Sequence, residues 1–130
     1  MNENEFSWNS RAKVELGIKG EELAEAFLKD SGYTVIKRNH RIGHSDIDIL
    51  ARDGEVLVFV EVRTKSRADR GMPEESLTAR KLWRMKKTAE LYIARNHYQG
   101  PARLDAVCII IDDADSIRHF EHYKGVGDDS

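Results

Sequence analysis

Residues 46–63 of the chain read DIDILARDGEVLVFVEVR and give the clearest structural signal in the sequence. Two runs that fit β-strands flank Asp53-Gly54, and an Asp-Gly pair between such runs is typical of a two-residue hairpin turn. The pattern predicts antiparallel strands over residues 46–52 and 55–63. Because these strands are so apolar, we expect them to lie in the middle of a small sheet.

The two faces of this hairpin differ, since side chains alternate along a strand. One face is apolar throughout and carries Ile47, Ile49, Ala51, Val56, Val58, Val60 and Val62. The other is acidic at the end far from the turn and carries Asp46, Asp48, Leu50, Leu57, Phe59, Glu61 and Arg63. In the register that an Asp53-Gly54 turn sets, Asp48 and Glu61 are diagonal neighbours whose carboxylates could converge on one cation. Alternatively, Arg63 and Lys65 neutralise the two acids in ordinary cross-strand salt bridges.

The sequence on either side of the hairpin predicts two helices and three further strands. In chain order the elements are a helix over 14–31 ended by Gly32, a strand over 33–38, a polar loop over 39–45, the hairpin, a helix that begins after Thr78 and ends before Gly100, a strand over 103–111 and an edge strand over 117–123. The order α-β-β-β-α-β(-β) predicts an α/β fold, a three-layer sandwich with a mixed central sheet.

Length and composition bound the organisation of the protein. A chain of 130 residues is enough for one domain. We expect a loose polar arm over residues 1–12, a single domain over 13–123 and a flexible acidic tail over 124–130. Cys108 is the only cysteine and lies in an apolar run, so we expect a buried, inert thiol. No signal peptide or membrane span is evident in the sequence, and we therefore predict a cytoplasmic protein without a membrane partner.

The charges are distributed unevenly although the net charge is only −2. Residues 63–87 hold nine basic and three acidic residues, whereas the segments before and after are mainly acidic. The candidates for contacts with nucleic-acid phosphates are Arg67, Arg70, Arg80, Lys81, Arg84 and Lys87. The alternative is a solvated helix and loop surface. Trp83, in the same segment, could stack on a base or cover the flank of its helix.

A third carboxylate favours a metal site over simple salt bridges. Glu21 borders the apolar stripe of the first predicted helix and could reach the cation that Asp48 and Glu61 would share. The alternative is an ordinary surface glutamate of that helix. An all-oxygen donor set of this kind suits Mg²⁺ or Mn²⁺. The histidines show no zinc pattern, the glycines form no phosphate-binding loop, and no serine or cysteine has a placed histidine.

Short motifs along the chain occur in the same order as in a known family. They are Gly17-x-x-Gly20-Glu21-x-x-Ala24, Gly32-Tyr33, Arg38-Asn39-x-Arg41, Ser45-Asp46-Ile47-Asp48-Ile49-Leu50-Ala51, Val58-Phe59-Val60-Glu61-Val62-Arg63, the second helix with Lys81 and Ala89, and Arg103-Leu104-Asp105-Ala106-Val107. Across roughly residues 14–111 the chain resembles the YraN-like family of presumed endonucleases. That family is related to archaeal Holliday-junction resolvases and to the restriction-endonuclease-like PD-(D/E)xK fold.

This resemblance implies a restriction-endonuclease-like fold and a set of site residues. It makes Asp48 and Glu61 the metal-binding pair, Glu21 an accessory carboxylate and Arg63 the occupant of the catalytic-lysine position, while Lys65 could supply an ammonium group. The implied cofactor is Mg²⁺ or Mn²⁺. The implied reaction is hydrolysis of phosphodiester bonds in branched or otherwise structured nucleic acid, with DNA favoured over RNA. A homodimer, as in the resolvases, is one implied assembly.

Two departures from the family pattern leave other functions open. The chain has Ser45-Asp46 where the family typically has Gly-Glu, and Arg63 cannot deprotonate, so it could stabilise phosphate charge but not act as a base. One alternative is therefore a nucleic-acid-binding or interaction module on the same fold whose metal chemistry has lapsed. A purely structural adaptor is another.

Overall fold

A computed structural model describes residues 3–67 and 69–127 of the chain. Its elements are α1 (Glu3–Asp30), β1 (Thr34–Ile42), β2 (Ser45–Asp53), β3 (Val56–Ser66), a 3₁₀ turn (Pro73–Ser76), α2 (Ala79–Arg95), β4 (Ala102–Ile111) and β5 (Ile117–Lys124). The strands form one sheet in the order β1-β2-β3-β4-β5, in which β3 and β4 pair in parallel and the other neighbours pair antiparallel. The predicted α/β fold with a mixed sheet is confirmed.

The sheet lies between the two helices and is buried on both faces. Ala24 and Leu28 of α1 pack in one cluster with Ile49 and other residues of the central strands. Ala89 of α2 packs in a second cluster that includes Leu50. Each large apolar side chain buried in this way contributes about 1.5–3 kcal/mol relative to exposure. The double cover explains why β3 is almost continuously apolar.

Helix α1 begins earlier than the sequence predicts. It runs from Glu3, so residues 3–12 of the predicted arm are helical, while Met1 and Asn2 lie outside the described residues. No glycine or proline interrupts residues 3–16, so nothing in the chain forces a later start. The other end is as expected. Gly32 has φ +94° and donates its N–H to the Lys29 carbonyl, which is the glycine cap of a helix C-terminus.

The β2–β3 hairpin turns one residue later than expected: its central residues are Gly54 and Glu55 instead of Asp53 and Gly54, and the pair Asp53 and Val56 flanks them. Gly54 has φ +61°, which suits the first central position of a type II′ turn. The register therefore differs by two residues from the prediction, which is wrong in this respect. Because the difference is even, every paired residue keeps its face. Extended one step beyond the last pair, Ile49 and Val60, this register sets Asp48 opposite Glu61 rather than diagonal to it.

Two further local expectations are wrong. Strand β1 continues to Ile42, so most of the predicted loop over 39–45 is strand, and only Gly43 and His44 form the turn. Ile47 packs in the cluster of Leu50 rather than with Ile49. The β2–β3 pairing ends at Ile49, so Ile47 is not paired with β3. Its side chain is therefore not confined to the face that strict alternation predicts.

The start of the predicted tail is attached to the sheet. Lys124 belongs to β5, and the Val126 N–H donates to the Leu104 carbonyl at 2.8 Å. Residues 128–130, the rest of the predicted tail, lie outside the described residues. Over the part of the chain that the structure covers, neither helix has the length and apolar character needed to cross a membrane.

A buried polar network joins β4 to β5 and to the end of α1. The Asp105 carboxylate is fully buried and lies 2.8 Å from Arg103 Nε and 2.8 Å from His122 Nε2. The Tyr33 hydroxyl and the Gly125 N–H also donate to it. Burial alone would raise the pKa of Asp105, but the hydrogen bonds from His122, Arg103 and Gly125 outweigh burial and hold this pKa below its usual value.

We predict that Asp105→Asn destabilises the protein by about 3 kcal/mol at pH 7, because it breaks a buried charge pair. A carboxyl with a lowered folded-state pKa stabilises above its unfolded pKa of about 4, and that contribution is lost as the pH falls through the lower folded value. Urea denaturation at pH 7 and pH 3 should therefore give a smaller difference between variant and wild type at pH 3. An equal difference at both pH values would contradict the assigned pKa shift.

Helix α1 approaches β3 most closely at Gly20. A Cβ atom there would overlap the Thr64 hydroxyl, and Gly20 is buried. Gly17, one turn earlier on the same helix, would gain a Cβ with nothing within 4 Å. The two helix glycines therefore have opposite packing requirements.

We expect Gly20→Ala to lower the free energy of unfolding by about 1–3 kcal/mol through overpacking against Thr64. Gly17→Ala is the matched control and should raise it by about 0.5–1 kcal/mol, since it only restricts the unfolded chain and improves helix propensity. Urea midpoints of the two variants measure both effects. Equal shifts would show that α1 does not rest on β3 at Gly20.

Candidate active site

A cleft of about 530 Å³ lies at the end of the hairpin far from its turn, between α1 and the first half of α2. The second half of α2 packs on the sheet through Ala89, Tyr92 and Ile93, which leaves the first half above the cleft. Four acidic and four basic residues line it, namely Glu21, Asp46, Asp48 and Glu61 with Lys13, Arg63, Lys81 and Arg84. The cleft is therefore highly charged but close to neutral in sum.

Asp48 and Glu61 form the most buried acidic pair in this cleft. Glu61 is 7% exposed, and Asp48 Oδ2 accepts a hydrogen bond of 2.9 Å from the Val62 N–H. Burial and then the negative charge of Glu61 raise the pKa of Asp48 to about 7, against the opposing effect of the Val62 bond. Glu21 adds a smaller contribution in the same direction. Near neutral pH the carboxyl of Asp48 is therefore only partly ionised.

Two cations hold the Glu61 carboxylate. Its Oε1 lies 3.1 Å from Lys81 Nζ and 3.3 Å from Arg63 Nη1. Arg63 Nε also donates to Ser76 Oγ at 2.8 Å, and that hydroxyl donates to the Pro73 carbonyl at 2.7 Å. The 3₁₀ turn thus fixes the orientation of the Arg63 guanidinium beside the acidic pair.

The sequence did not place Lys81 or Ser76 at the acidic pair. Lys81 was expected to contact phosphates, and Ser76 carried no signal. Lys81 is the residue whose N–H bonds to the Thr78 cap, so it occupies the first turn of α2. Only the docking of that turn over β3, which no local pattern reveals, brings its side chain to Glu61.

The remaining predicted residues are divided between the cleft and the surface. Glu21 lines the cleft, and its Oε2 lies 3.8 Å from Arg38 Nη2. Lys65 Nζ donates to the Arg70 carbonyl, and Lys65 is not among the residues that line the cleft. Arg84 lines the cleft. The predicted residues outside the cleft are Arg67, Arg70, Arg80 and Lys87, and all four are exposed, as is Arg84.

The donor set determines which metal the site could hold. Within residues 3–67 and 69–127, no three or more His, Cys, Asp or Glu side chains form a ready metal-binding group. Asp48 and Glu61 offer hard carboxylate oxygens, and Mg²⁺ commonly uses one or two carboxylates while keeping several waters. Burial and the negative charge of Glu61 raise the pKa of Asp48, and a bound cation would favour its ionised form. The pair therefore fits a hard divalent ion in chemistry and in charge.

Cys108 lies on β4 directly beside Arg63 of β3. The expected buried, inert thiol is confirmed, because the residue is fully buried and burial raises the pKa of the thiol to about 12. The negative charge of Glu74 acts in the same direction.

Fold and cleft together define a small α/β sandwich protein with a buried acidic pair held beside fixed cations. Residues 20–109 match the model of the Uncharacterised protein family UPF0102, and the chain belongs to this family. It is 45% identical over 98 residues to a UPF0102 protein of Dehalococcoides mccartyi, covering 75% of this chain and 81% of that one. It is 40% identical over 119 residues to one of Renibacterium salmoninarum, covering 90% and 99%. The resemblance to the YraN-like family is thereby confirmed.

We predict that Asp48→Asn stabilises the protein without divalent cations by about 1–3 kcal/mol at pH 8. In the folded wild type, Asp48 has a raised pKa of about 7. The wild type therefore loses free energy of unfolding as the pH rises from about 4 to 7, and this loss is constant above pH 7. Thermal unfolding at pH 5 and pH 8 measures the difference. Asp46→Asn, at a side chain that is 53% exposed, is the control and should change stability little. A destabilised Asp48→Asn at pH 8 would contradict the raised pKa.

Proposed function

We propose that this protein is a metal-dependent nuclease that hydrolyses phosphodiester bonds, with branched or otherwise structured DNA as its substrate. The observation that supports this most is the buried pair of Asp48 and Glu61, which lies in a cleft beside the side chains of Arg63 and Lys81. These two carboxylates would hold Mg²⁺ or Mn²⁺. When bound, such an ion lowers the pKa of a water and neutralises charge that develops on the phosphate.

The cations of the cleft would act on the phosphate. Arg63 is permanently charged and oriented by Ser76, so it would stabilise negative charge in the transition state without exchanging a proton. Lys81 would supply the ammonium group, in place of Lys65, whose side chain bonds to the Arg70 carbonyl. Glu21, at the edge of the cleft, remains the proposed accessory carboxylate.

The surface cations would bind the rest of the substrate. The exposed basic residues of the segment 63–87 would contact backbone phosphates, which gives salt-sensitive binding that does not depend on base sequence. A cytoplasmic location is part of this proposal, because the only cysteine is a buried thiol that forms no internal disulfide.

A second candidate function is nucleic-acid binding without cleavage. It is favoured by the contacts of Glu61, because Lys81 and Arg63 already neutralise this carboxylate and a metal ion is not required to do so. In that case the cleft would bind phosphate through its cations, and the acids would serve to hold those cations in place.

Cleavage of labelled branched, flap and single-stranded DNA in Mg²⁺ or Mn²⁺ tests the proposal. We expect activity in the wild type and a loss of about 100-fold or more in Asp48→Ala and in Glu61→Ala, because each removes half of the ligand pair. Glu22→Ala removes an exposed carboxylate of α1 and should leave the activity unchanged. An RNA flap of the same sequence tests the preference for DNA.

Two outcomes of this experiment are decisive. Cleavage that survives both substitutions would overturn the proposed site. Binding of these substrates without any cleavage by the wild type would favour the second candidate. Titration calorimetry with Mn²⁺ gives an independent readout, since the proposal requires heat of binding that Asp48→Ala abolishes.

A further inference from the structure

Trp83 is an exposed aromatic residue on the first half of α2. It is 60% exposed and joins neither core cluster, although it is one of the largest apolar side chains in the protein. The apolar residues that attach α2 to the sheet, Ala89, Tyr92 and Ile93, lie in its second half. Packing against the core therefore does not account for a tryptophan at this position.

Trp83 is surrounded by positive charge. The residues at positions 80, 83, 84 and 87 follow the spacing of one helix face, and we call Arg80, Trp83, Arg84 and Lys87 the Trp83 face. Lys87 Nζ lies 5.5 Å from the centroid of the indole ring and 3.3 Å from Glu90 Oε2. Among the described residues, no carboxylate forms a salt bridge with Arg80 or Arg84.

The Trp83 face is continuous with the cleft. Arg84 belongs to both, since it follows Trp83 in the chain and lines the cleft. A strand of nucleic acid whose phosphate reaches the acidic pair would therefore pass this face within a short distance.

We propose that the Trp83 face binds an unpaired nucleotide next to the cleft, with the base stacked on the indole and the adjoining phosphates on Arg80 and Arg84. Aromatic rings and basic side chains in alternation are the means by which proteins hold single strands. In a duplex, each base is stacked between its neighbours and cannot cover a ring on a helix surface. The inference rests on the proposed function, which supplies nucleic acid as the partner. It narrows the substrate to DNA with unpaired bases beside the bond to be cut.

Binding measured in EDTA separates this proposal from catalysis. Fluorescence anisotropy with a labelled 12-nucleotide oligo-dT and with a duplex of the same length gives the two affinities. We expect Trp83→Ala to weaken single-strand binding by about 10-fold or more and duplex binding by less than about 3-fold. Trp83→Phe should recover most of the single-strand affinity, because it keeps an aromatic face. Leu91→Ala, at another exposed apolar residue of α2, is the control and should change neither affinity.

Tryptophan fluorescence reports the stacking directly. In a Trp8→Phe background Trp83 is the only tryptophan, and saturation with oligo-dT should quench its emission. Unchanged affinity of Trp83→Ala together with unquenched emission would overturn the proposal, even if the wild type cleaves DNA. Single-strand binding that depends on Trp83, without cleavage by the wild type, would support it while the nuclease function fails. Equal weakening of single-strand and duplex binding would show that Trp83 contributes to nucleic-acid binding in general. It would overturn the proposed selectivity for unpaired bases.

Discussion

Strand β3 has no free side, and the chemistry of the cleft depends on this. It pairs with β2 and β4 along its edges, and the two helices cover its faces. Glu61 therefore sits in a strand where only one end of its side chain reaches the cleft, and burial of an unpaired carboxylate is costly. Lys81 and Arg63 supply the missing stabilisation for Glu61, while burial and the charge of Glu61 raise the pKa of Asp48 in spite of its hydrogen bond from the Val62 N–H.

The parallel pairing of β3 and β4 explains where those cations come from. Parallel neighbours require a crossover connection, and here the connection consists of the 3₁₀ turn and α2. Most of the basic segment 63–87 lies in this connection. The topology of the sheet therefore places these basic residues over the acidic ends of β2 and β3. A net charge of −2 conceals this separation, since the basic segment 63–87 is offset by mainly acidic segments before and after it.

Local patterns predict much of this fold, whereas contacts between distant elements are beyond them. The hairpin, the cap at Thr78 and the end of α1 at Gly32 follow from short-range rules. The Asp-Gly signal marks a turn but not which two residues form it, and the faces of Asp48 and Glu61 are right only because the register differs by an even number. The placement of Lys81 depends on how α2 docks, and the N-terminal extension of α1 depends on a weakly patterned stretch. Both therefore escape prediction from sequence.

The position of Cys108 limits the kind of reaction that this cleft can support. Its sulfur is the strongest intrinsic nucleophile among the side chains near Arg63, but with a pKa of about 12 it is almost entirely protonated at neutral pH. The residue is also fully buried and is not among those that line the cleft. The same property makes the native chain a ready background for labelling, because a cysteine introduced at the rim of the cleft would react with a thiol reagent while Cys108 stays silent.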